Sequence, residues 1–368
     1  MDHRVACYAG PGILPVIREE GFSFHRVRWM WGAAGGPKWL VLYGMDRALC
    51  QEWLPQRRTP LNVVGSSIGS WRFAAYCRRN PLDALESFLE AYLAQSYSSR
   101  PTAAEVSRVL GQVLDRLVPQ AAVREIVDHP LVRLHVATTR GRGLVASRRR
   151  PLLSLGLGLA YGINALSRKG LLKFFERVYF CHSQSELPQC LDNGAFPLKT
   201  VSLTGSNARA ALLASGSIPL LMEGVDAIPG APPGPYWDGG LLDYHLTVPV
   251  PVGPEEVVFY PHYTDRLVPG WFDKRFAHRR PDLRAMKNLF LVVPSRSFVE
   301  SLPYGRIPDR QDFWTFAGND AERLAFWKTV LQRSRDMGKA FMDLAGSSVL
   351  RHQVRPLEEF FQGARQAL

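Results

Sequence analysis

A short apolar strand that leads through a glycine-flanked serine into a helix is the feature that most constrains the fold. Residues 61–64 have strand character, Gly65-Ser66-Ser67-Ile68-Gly69 follows, and a helix is predicted from there to about Cys77. Small residues two before and two after a serine let the backbone turn sharply without clashes. The pattern predicts that Ser67, centred between the glycines, is a nucleophile held clear of a sheet edge. A purely structural turn is the alternative, because glycine and serine are common.

Strands and helices alternate along most of the chain. The patterns predict strands at 26–31, 61–64, 131–138, 199–203, 257–260 and 289–293, and helices at 40–49, 84–95, 103–117 and 320–344. Such alternation is typical of a mainly parallel sheet with helices on both faces. We therefore predict an α/β fold, a three-layer sandwich with a mainly parallel central sheet.

The composition is that of an ordinary globular protein with a basic surplus. Of 368 residues, 46% are hydrophobic and 21% are charged, and the formal net charge is +12. A surplus of this size favours an anionic partner, either nucleic acid or a membrane with anionic lipid. The basic runs lack zinc-finger spacing and RNP-type aromatic motifs, so we expect no nucleic acid partner.

The cysteines and the N-terminus bear on the compartment. The five cysteines are widely spaced and form no CxxC pair, which indicates neither a disulfide framework nor a zinc site. The apolar stretch at residues 5–17 is broken by Gly10-Pro11-Gly12 and Pro15, so we do not interpret it as a signal peptide. These features favour a reduced, cytoplasmic setting.

Two further motifs carry candidate chemistry. Gly35-Gly36-Pro37-Lys38 joins a predicted strand to a helix, where glycines let backbone N–H groups approach a ligand. The alternative is a plain helix-entry turn, since proline is favoured at a first helical position. Asp238-Gly239-Gly240 ends a loop rich in proline and glycine at residues 226–237. Its carboxylate is a candidate base for the serine proton, and an ordinary Asp-Gly turn is the alternative.

In this order, the three motifs resemble those of the patatin-like phospholipase family. That family carries a G-G-x-R/K-G oxyanion loop, then G-x-S-x-G, then D-G-G or D-G-A. The segment from Ala214 to Pro219 also looks like the A-S-x-A-x-P that precedes the family's catalytic aspartate, and Gly44 with Ala48-Leu49 looks like its G-V-L-x-A-L helix. The resemblance covers about residues 27–243 and implies a patatin-like fold.

The resemblance implies a lipid acyl hydrolase, of the phospholipase A or lysophospholipase kind, that uses a Ser67–Asp238 dyad. Asp238 would deprotonate Ser67, which would attack an ester carbonyl, and water would release the fatty acid from the acyl-enzyme. Backbone N–H groups around Gly35, Gly36 and Ile68 would hold the oxyanion, and the Lys38 charge would support their loop. The family's chemistry needs no metal and no cofactor.

Two departures from the family pattern leave alternatives open. Trp39 stands where the family usually has glycine, and Pro37 can donate no N–H bond. Trp39 either reshapes the oxyanion hole, lines an acyl pocket, or packs into the core. A catalytically silent lipid-binding or scaffold protein of the same fold is therefore one alternative. A Ser-His-Asp carboxylesterase or acyltransferase that uses His245 or His262 is another.

Residues 140–177 read as a basic, then apolar, then basic segment. The apolar run at 151–166 is too short to span a bilayer and contains Asn164. It suits an interfacial element that contacts anionic lipid, and a buried cap helix over the active site is the alternative. The cations expected at a membrane are Arg148, Arg149, Arg150, Arg168, Lys169 and Lys173.

The predicted organisation is an acyl hydrolase domain followed by a helical segment. Residues 1–318 are expected to form the hydrolase domain, with the basic and apolar insertion at about 140–177. Residues 319–368 are expected to form a C-terminal helical segment packed on the same domain.

Overall fold

The computed structural model describes residues 4–187, 190–192, 196–276, 278–281 and 283–366. Eleven strands within these ranges form one sheet. They are β1 (Val5–Ala9), β2 (Val27–Gly32), β3 (Leu61–Ser66), β4 (Val132–Gly141), β5 (Phe175–Cys181), β6 (Cys190–Asp192), β7 (Pro197–Ser202), β8 (Tyr236–Asp238), β9 (Val257–Pro261), β10 (Leu289–Pro294) and β11 (Arg355–Pro356).

The strand order is β11-β1-β10-β9-β2-β3-β4-β5-β7-β6, and β8 pairs with β4. The five central strands from β10 to β4 run parallel. Antiparallel pairs join β1 to β10, β5 and β8 to β4, and β6 to β7. Every residue of β3, β9 and β10 is buried, so the sheet is covered on both faces. The predicted three-layer α/β fold is confirmed.

Thirteen α-helices accompany these strands within the described ranges. They are α1 (Leu14–Glu20), α2 (Tyr43–Ala48), α3 (Ile68–Tyr76), α4 (Pro81–Leu93), α5 (Ala103–Leu117), α6 (Val123–Val127), α7 (Arg150–Leu166), α8 (Ala208–Gly216), α9 (Arg296–Glu300), α10 (Asp312–Thr315), α11 (Asp320–Ala345), α12 (Val349–Gln353) and α13 (Leu357–Gln366). The short 3₁₀ turns that matter for the site are Gly36–Leu42, Arg168–Lys173, Gly239–Leu241 and Trp271–Asp273.

Polar caps set the starts of two of these helices. Thr102 accepts a hydrogen bond from the Glu105 amide and begins α5, and Asn319 accepts one from the Glu322 amide and begins α11. Each satisfies an N–H group that has no partner within its helix. The predicted bounds of α5 therefore agree with the structure, and those of α11 agree to within one residue.

Close backbone contact joins α11 to α2. A Cβ on Gly44 would meet the Ser334 carbonyl oxygen at 1.9 Å, and one on Gly338 would meet the Gly44 carbonyl oxygen at 2.3 Å. The Gly44 amide donates to Ser334 Oγ at 3.1 Å. The two glycines therefore allow the helices to touch.

Three of the elements that differ from the sequence expectation are β1, β8 and the helix predicted at residues 40–49. Val5–Ala9 forms β1 antiparallel to β10, and Tyr236–Asp238 forms β8, not the end of a loop. The helix predicted at residues 40–49 instead begins as the 3₁₀ turn Gly36–Leu42, continues as α2 and ends in a π-helical turn, Leu49–Trp53. β1 pairs with β10, and β8 pairs with β4. These partners are far away in the chain, so the local sequence pattern does not reveal the two strands.

The described cysteines Cys7, Cys50, Cys77 and Cys181 are buried free thiols. The Cys190 side chain lies outside the described residues. In the part of the chain that the structure covers, no helix combines the length and the apolar character needed to cross a bilayer.

Candidate active site

Ser67 lies at a strained turn between β3 and α3. Its φ of 54° and ψ of −127° are unusual for a residue with a side chain. A Cβ on Gly65 would meet the Ser70 amide nitrogen at 2.3 Å, and one on Gly69 would meet the Gly32 carbonyl oxygen at 2.1 Å. The turn is therefore possible only with glycine at both flanking positions, as the motif predicts.

Ser67 and Asp238 are hydrogen-bonded to each other. Ser67 Oγ donates to Asp238 Oδ2 at 2.7 Å, and both residues are buried. Asp238 Oδ1 accepts from the Gly240 amide at 2.6 Å, so both carboxylate oxygens are held. The β8–β4 ladder pairs Asp238 with Thr138 and brings the aspartate to the serine across the sheet.

Burial raises the pKa of Asp238 above its ordinary value. The hydrogen bonds from Ser67 and Gly240 act in the opposite direction, and so do the charges of Arg310 and Lys274. A carboxylate whose pKa is raised is a stronger base when it is ionised. The arrangement can therefore remove the Ser67 proton directly.

Ser215 supports the turn from behind. Its Oγ accepts from the Ser67 amide at 2.9 Å and donates to the Ala137 carbonyl at 2.6 Å. The same segment anchors the base, because the Asp238 amide donates to the Ser217 carbonyl at 2.7 Å. The segment noted for its A-S-x-A-x-P resemblance therefore contacts both members of the dyad. With the Ser67 amide engaged, the next amide at the start of α3, that of Ile68, is the candidate oxyanion donor.

The loop at Gly35 and Gly36 lies beside Ser67. Gly36 has a φ of 55°, which glycine adopts without strain. Gly35 packs against Tyr263, whose hydroxyl donates to the Ala34 carbonyl. Gly35, Gly36 and Pro37 line cavities that reach Ser67. The structure therefore brings the predicted oxyanion loop, the serine turn and the aspartate together.

His245 and His262 have other partners. His245 Nδ1 accepts from the Val268 amide at 2.8 Å, which assigns the proton to Nε2, 3.0 Å from the Tyr263 hydroxyl. His262 Nδ1 accepts from the Thr264 amide at 3.2 Å. Burial lowers the pKa of His245 far below its usual value and that of His262 to about 3. In the described structure neither histidine is hydrogen-bonded to the dyad, so no Ser-His-Asp arrangement is formed.

Trp39 and Lys38 have structural partners. Trp39 is fully buried and stacks on Phe88 with ring centroids 4.7 Å apart, and it does not line the two cavities at Ser67. Of its three predicted placements, the structure shows the core. Lys38 Nζ forms an ion pair with Asp309 Oδ2 at 3.1 Å. This ion pair neutralises the Lys38 charge locally. It also holds the predicted oxyanion loop to Asp309.

Two cavities meet at Ser67. Cavity A, of about 350 Å³, extends past Gln95, Tyr97 and the aromatic residues of α10. Cavity B, of about 270 Å³, extends past Asp238 towards α7. Three residues line both of them, Ser67, Ile218 and Arg310. The sequence analysis did not identify Arg310, because a single arginine carries no motif.

Helix α7 forms part of the wall of cavity B. Leu157, Gly158 and Tyr161 face this cavity, while one stripe of the helix is buried and another is exposed. The exposed stripe consists of Leu152, Leu155, Leu159 and Leu166, which are 38%, 55%, 45% and 88% exposed. The helix therefore lines the site, which agrees in part with the cap interpretation, but it is not buried, because it presents an apolar face to solvent.

The basic flanks of α7 differ in part from the prediction. Arg149, Arg150, Lys169 and Lys173 are exposed. Arg148 is exposed too, but pairs with Asp226. Arg168 instead forms an ion pair with the buried Asp273 at 2.8 Å. Arg168 is therefore held by a buried carboxylate, and its expected contact with a membrane surface stays a prediction.

Comparisons with known proteins do not assign this chain to a family. No family model matches the chain, and no curated protein matches it. Among solved structures, that of VipD from Legionella pneumophila is similar at 11% identity, with a TM-score of 0.32. The similarity covers 91% of this chain and 70% of that one. At this level the similarity carries no argument about function, and the site rests on its own geometry.

Proposed function

We propose that this protein hydrolyses acyl ester bonds of lipids through an acyl-serine intermediate on Ser67. The observation that carries the proposal is the 2.7 Å hydrogen bond from Ser67 Oγ to Asp238 Oδ2, at a strained turn where two cavities meet. Strain at a buried serine with an adjacent base is typical of an activated nucleophile.

The chemistry needs two half-reactions. Asp238 Oδ2 takes the Ser67 proton while Oγ bonds to the ester carbonyl carbon, and the oxyanion faces the amides of Ile68 and the Gly35–Gly36 loop. Collapse breaks the ester C–O bond, and the leaving alcohol takes the proton from Asp238. Water then repeats the sequence with the same base, which releases the fatty acid and restores Ser67.

Cavity B suits an acyl chain, and α7 suits a membrane surface. The walls of cavity B include Leu157, Ile218, Leu241 and Phe272, which favour apolar ligands. The exposed leucines of α7 lie between the exposed cations of its two flanks. Apolar side chains between cations match the boundary of an anionic bilayer. We propose that this face docks on anionic membranes and that lipid enters cavity B beside it.

A fluorophosphonate probe tests the nucleophile. Incubation of the wild type, followed by peptide mass mapping, is expected to place the adduct on Ser67. Ser67→Ala should abolish the adduct, and Asp238→Asn should slow its formation by about 100-fold or more. Asp336→Asn, at an exposed aspartate of α11, is the matched control. Full labelling of Asp238→Asn would disprove the role of the aspartate.

The same assay separates the alternatives. His262→Asn should label at a rate close to that of the wild type, whereas a serine–histidine mechanism that uses His262 predicts a loss of about a millionfold. The silent lipid-binding alternative is favoured by Pro37, which lines cavity A and has no N–H to donate. It predicts a folded wild type that binds anionic vesicles and never reacts with the probe.

A further inference from the structure

The two cavities at Ser67 differ in the polarity of their walls. Cavity A contains the consecutive polar residues Gln95, Ser96, Tyr97 and Ser98. The side chains of cavity B are mostly apolar, apart from Ser67 and Asp238 of the dyad, Tyr161, Tyr244 and Arg310. If cavity B takes the acyl chain, the alcohol part of an ester bound with its carbonyl carbon at Ser67 Oγ points into cavity A. The groups in cavity A therefore decide which alcohols are accepted.

Arg310 is the cation at the junction of the cavities. Its Nη2 lies 3.6 Å from the point at which a Cβ on Gly36 would stand, so the guanidinium is beside the oxyanion loop. The side chain is half-buried. Its positive charge is felt at the base, because Arg310 is one of the groups that lower the pKa of Asp238.

The neighbouring charges have partners, whereas Arg310 has none within ion-pair distance among the described residues. Lys38 is paired with Asp309. Asp320, the acidic residue in the wall of cavity A, accepts hydrogen bonds from Ser96 and from Arg323. A guanidinium without a carboxylate partner, in a cavity wall, is suited to bind an anion of the ligand, since its fork of N–H donors matches phosphate oxygens.

We propose that Arg310 binds a phosphate carried on the alcohol part of the substrate, so that phosphate-bearing esters are preferred to uncharged ones of equal chain length. The inference rests on the proposed function, because it assumes that an ester substrate binds with its carbonyl carbon at Ser67. The net charge of +12 acts in the same direction at longer range. Arg310 would then set specificity, while Ser67 and Asp238 perform the chemistry.

Two soluble substrates test the preference. They are 1-hexanoylglycerol 3-phosphate and 1-hexanoylglycerol, both assayed below their micelle concentrations. A charge-assisted contact predicts a wild-type kcat/KM ratio of about 10- to 100-fold in favour of the phosphate. The ratio should fall towards one in Arg310→Gln and lie between in Arg310→Lys. Arg296→Gln, at an exposed arginine of α9 outside both cavities, should keep the wild-type ratio.

A binding measurement separates this inference from the proposed function. Calorimetry with hexyl phosphate and with hexanol, on Ser67→Ala and on the Ser67→Ala, Arg310→Gln double variant, requires no turnover. Hexyl phosphate should bind at least about 10-fold more weakly to the double variant than to Ser67→Ala. Hexanol should bind both variants with the same affinity. If nothing is hydrolysed but this difference appears, the anion site stands and the hydrolase proposal fails.

Two results would overturn the inference while the hydrolase proposal survives. One is hydrolysis at Ser67 with the same substrate ratio in the wild type and in Arg310→Gln. The other is an equal loss on both substrates in Arg310→Gln, which would mean that the arginine supports the chemical step and does not read the phosphate. Thermal melting of each variant shows whether it is folded.

Discussion

Tyr263 occupies the space that a side chain at Gly35 would need. A Cβ on Gly35 would stand 2.6 Å from the Tyr263 hydroxyl oxygen and 2.8 Å from the ring carbon that bears it. That hydroxyl donates to the Ala34 carbonyl and lies 3.0 Å from His245 Nε2. The predicted oxyanion loop is therefore fixed by a buried tyrosine and a neutral histidine, and neither is hydrogen-bonded to Ser67 in the described structure.

Gly35→Ala should therefore impair turnover more than substrate binding. The added methyl group must displace Tyr263 or the loop, and loss of one oxyanion donor costs about 100- to 1000-fold in kcat. Steady-state kinetics on a soluble ester measure this loss. Gly205→Ala is the control, because a Cβ on Gly205 meets nothing within 4 Å. A wild-type kcat in Gly35→Ala would show that this loop does not hold the oxyanion.

The activity should have an acid limb that belongs to Asp238. The base works only when it is ionised, so activity falls as the pH drops through its pKa, which burial raises above the ordinary value of 3.8. Arg310→Gln removes a charge that lowers this pKa, so the limb should move to higher pH. Profiles of kcat/KM against pH for the wild type and for Arg310→Gln measure the acid limb of each protein. An identical acid limb in the two proteins would contradict its assignment to Asp238.

Acid should destabilise the fold through buried histidines. Burial lowers the pKa of His135 and of His262 from 6.5 to about 3, and that of His245 well below 6.5. The folded state therefore keeps them neutral while the unfolded chain binds protons. Their stabilising contribution is complete above pH 6.5 and is lost as the pH falls towards 3, by up to about 1.4 kcal/mol per pH unit for each histidine.

Thermal melts by circular dichroism between pH 4 and pH 8 measure this dependence. His262→Asn should flatten the fall in Tm below pH 6.5, because one of the histidines whose pKa is lowered is removed. An unchanged slope in that variant would show that His262 is protonated in the folded state or is exposed to solvent.

The exposed leucines of α7 should control membrane binding without entering the chemistry. Leu155→Glu places a charge on the proposed docking face and should weaken binding to anionic vesicles by about 10- to 100-fold, the equivalent of one buried leucine. Val349→Glu, at an apolar residue that is 44% exposed on α12, should bind as the wild type does. Vesicle sedimentation measures both proteins, with soluble ester turnover as the check on folding. Equal binding by Leu155→Glu and the wild type would exclude this face.

The sequence alone determined the local elements of the site. Particular residue types at fixed spacing are required by the serine turn, by the glycines of the predicted oxyanion loop and by the Asp-Gly-Gly segment. The bounds of a helix with a strong cap, such as α5, could also be predicted from the sequence. The three-layer α/β fold followed from the alternation of strands and helices, because that alternation reflects burial of both sheet faces.

Only the tertiary structure decided which of these elements meet and which partner each charged side chain has. The pairing of β8 with β4, the packing of Trp39 on Phe88 and the ion pairs of Lys38 and Arg168 all join residues far apart in the chain. Arg310 had no motif, and its importance comes from the two cavities that it borders. Local pattern reports the periodicity and turn chemistry of a segment, whereas the partner of a buried charge is set by chain packing.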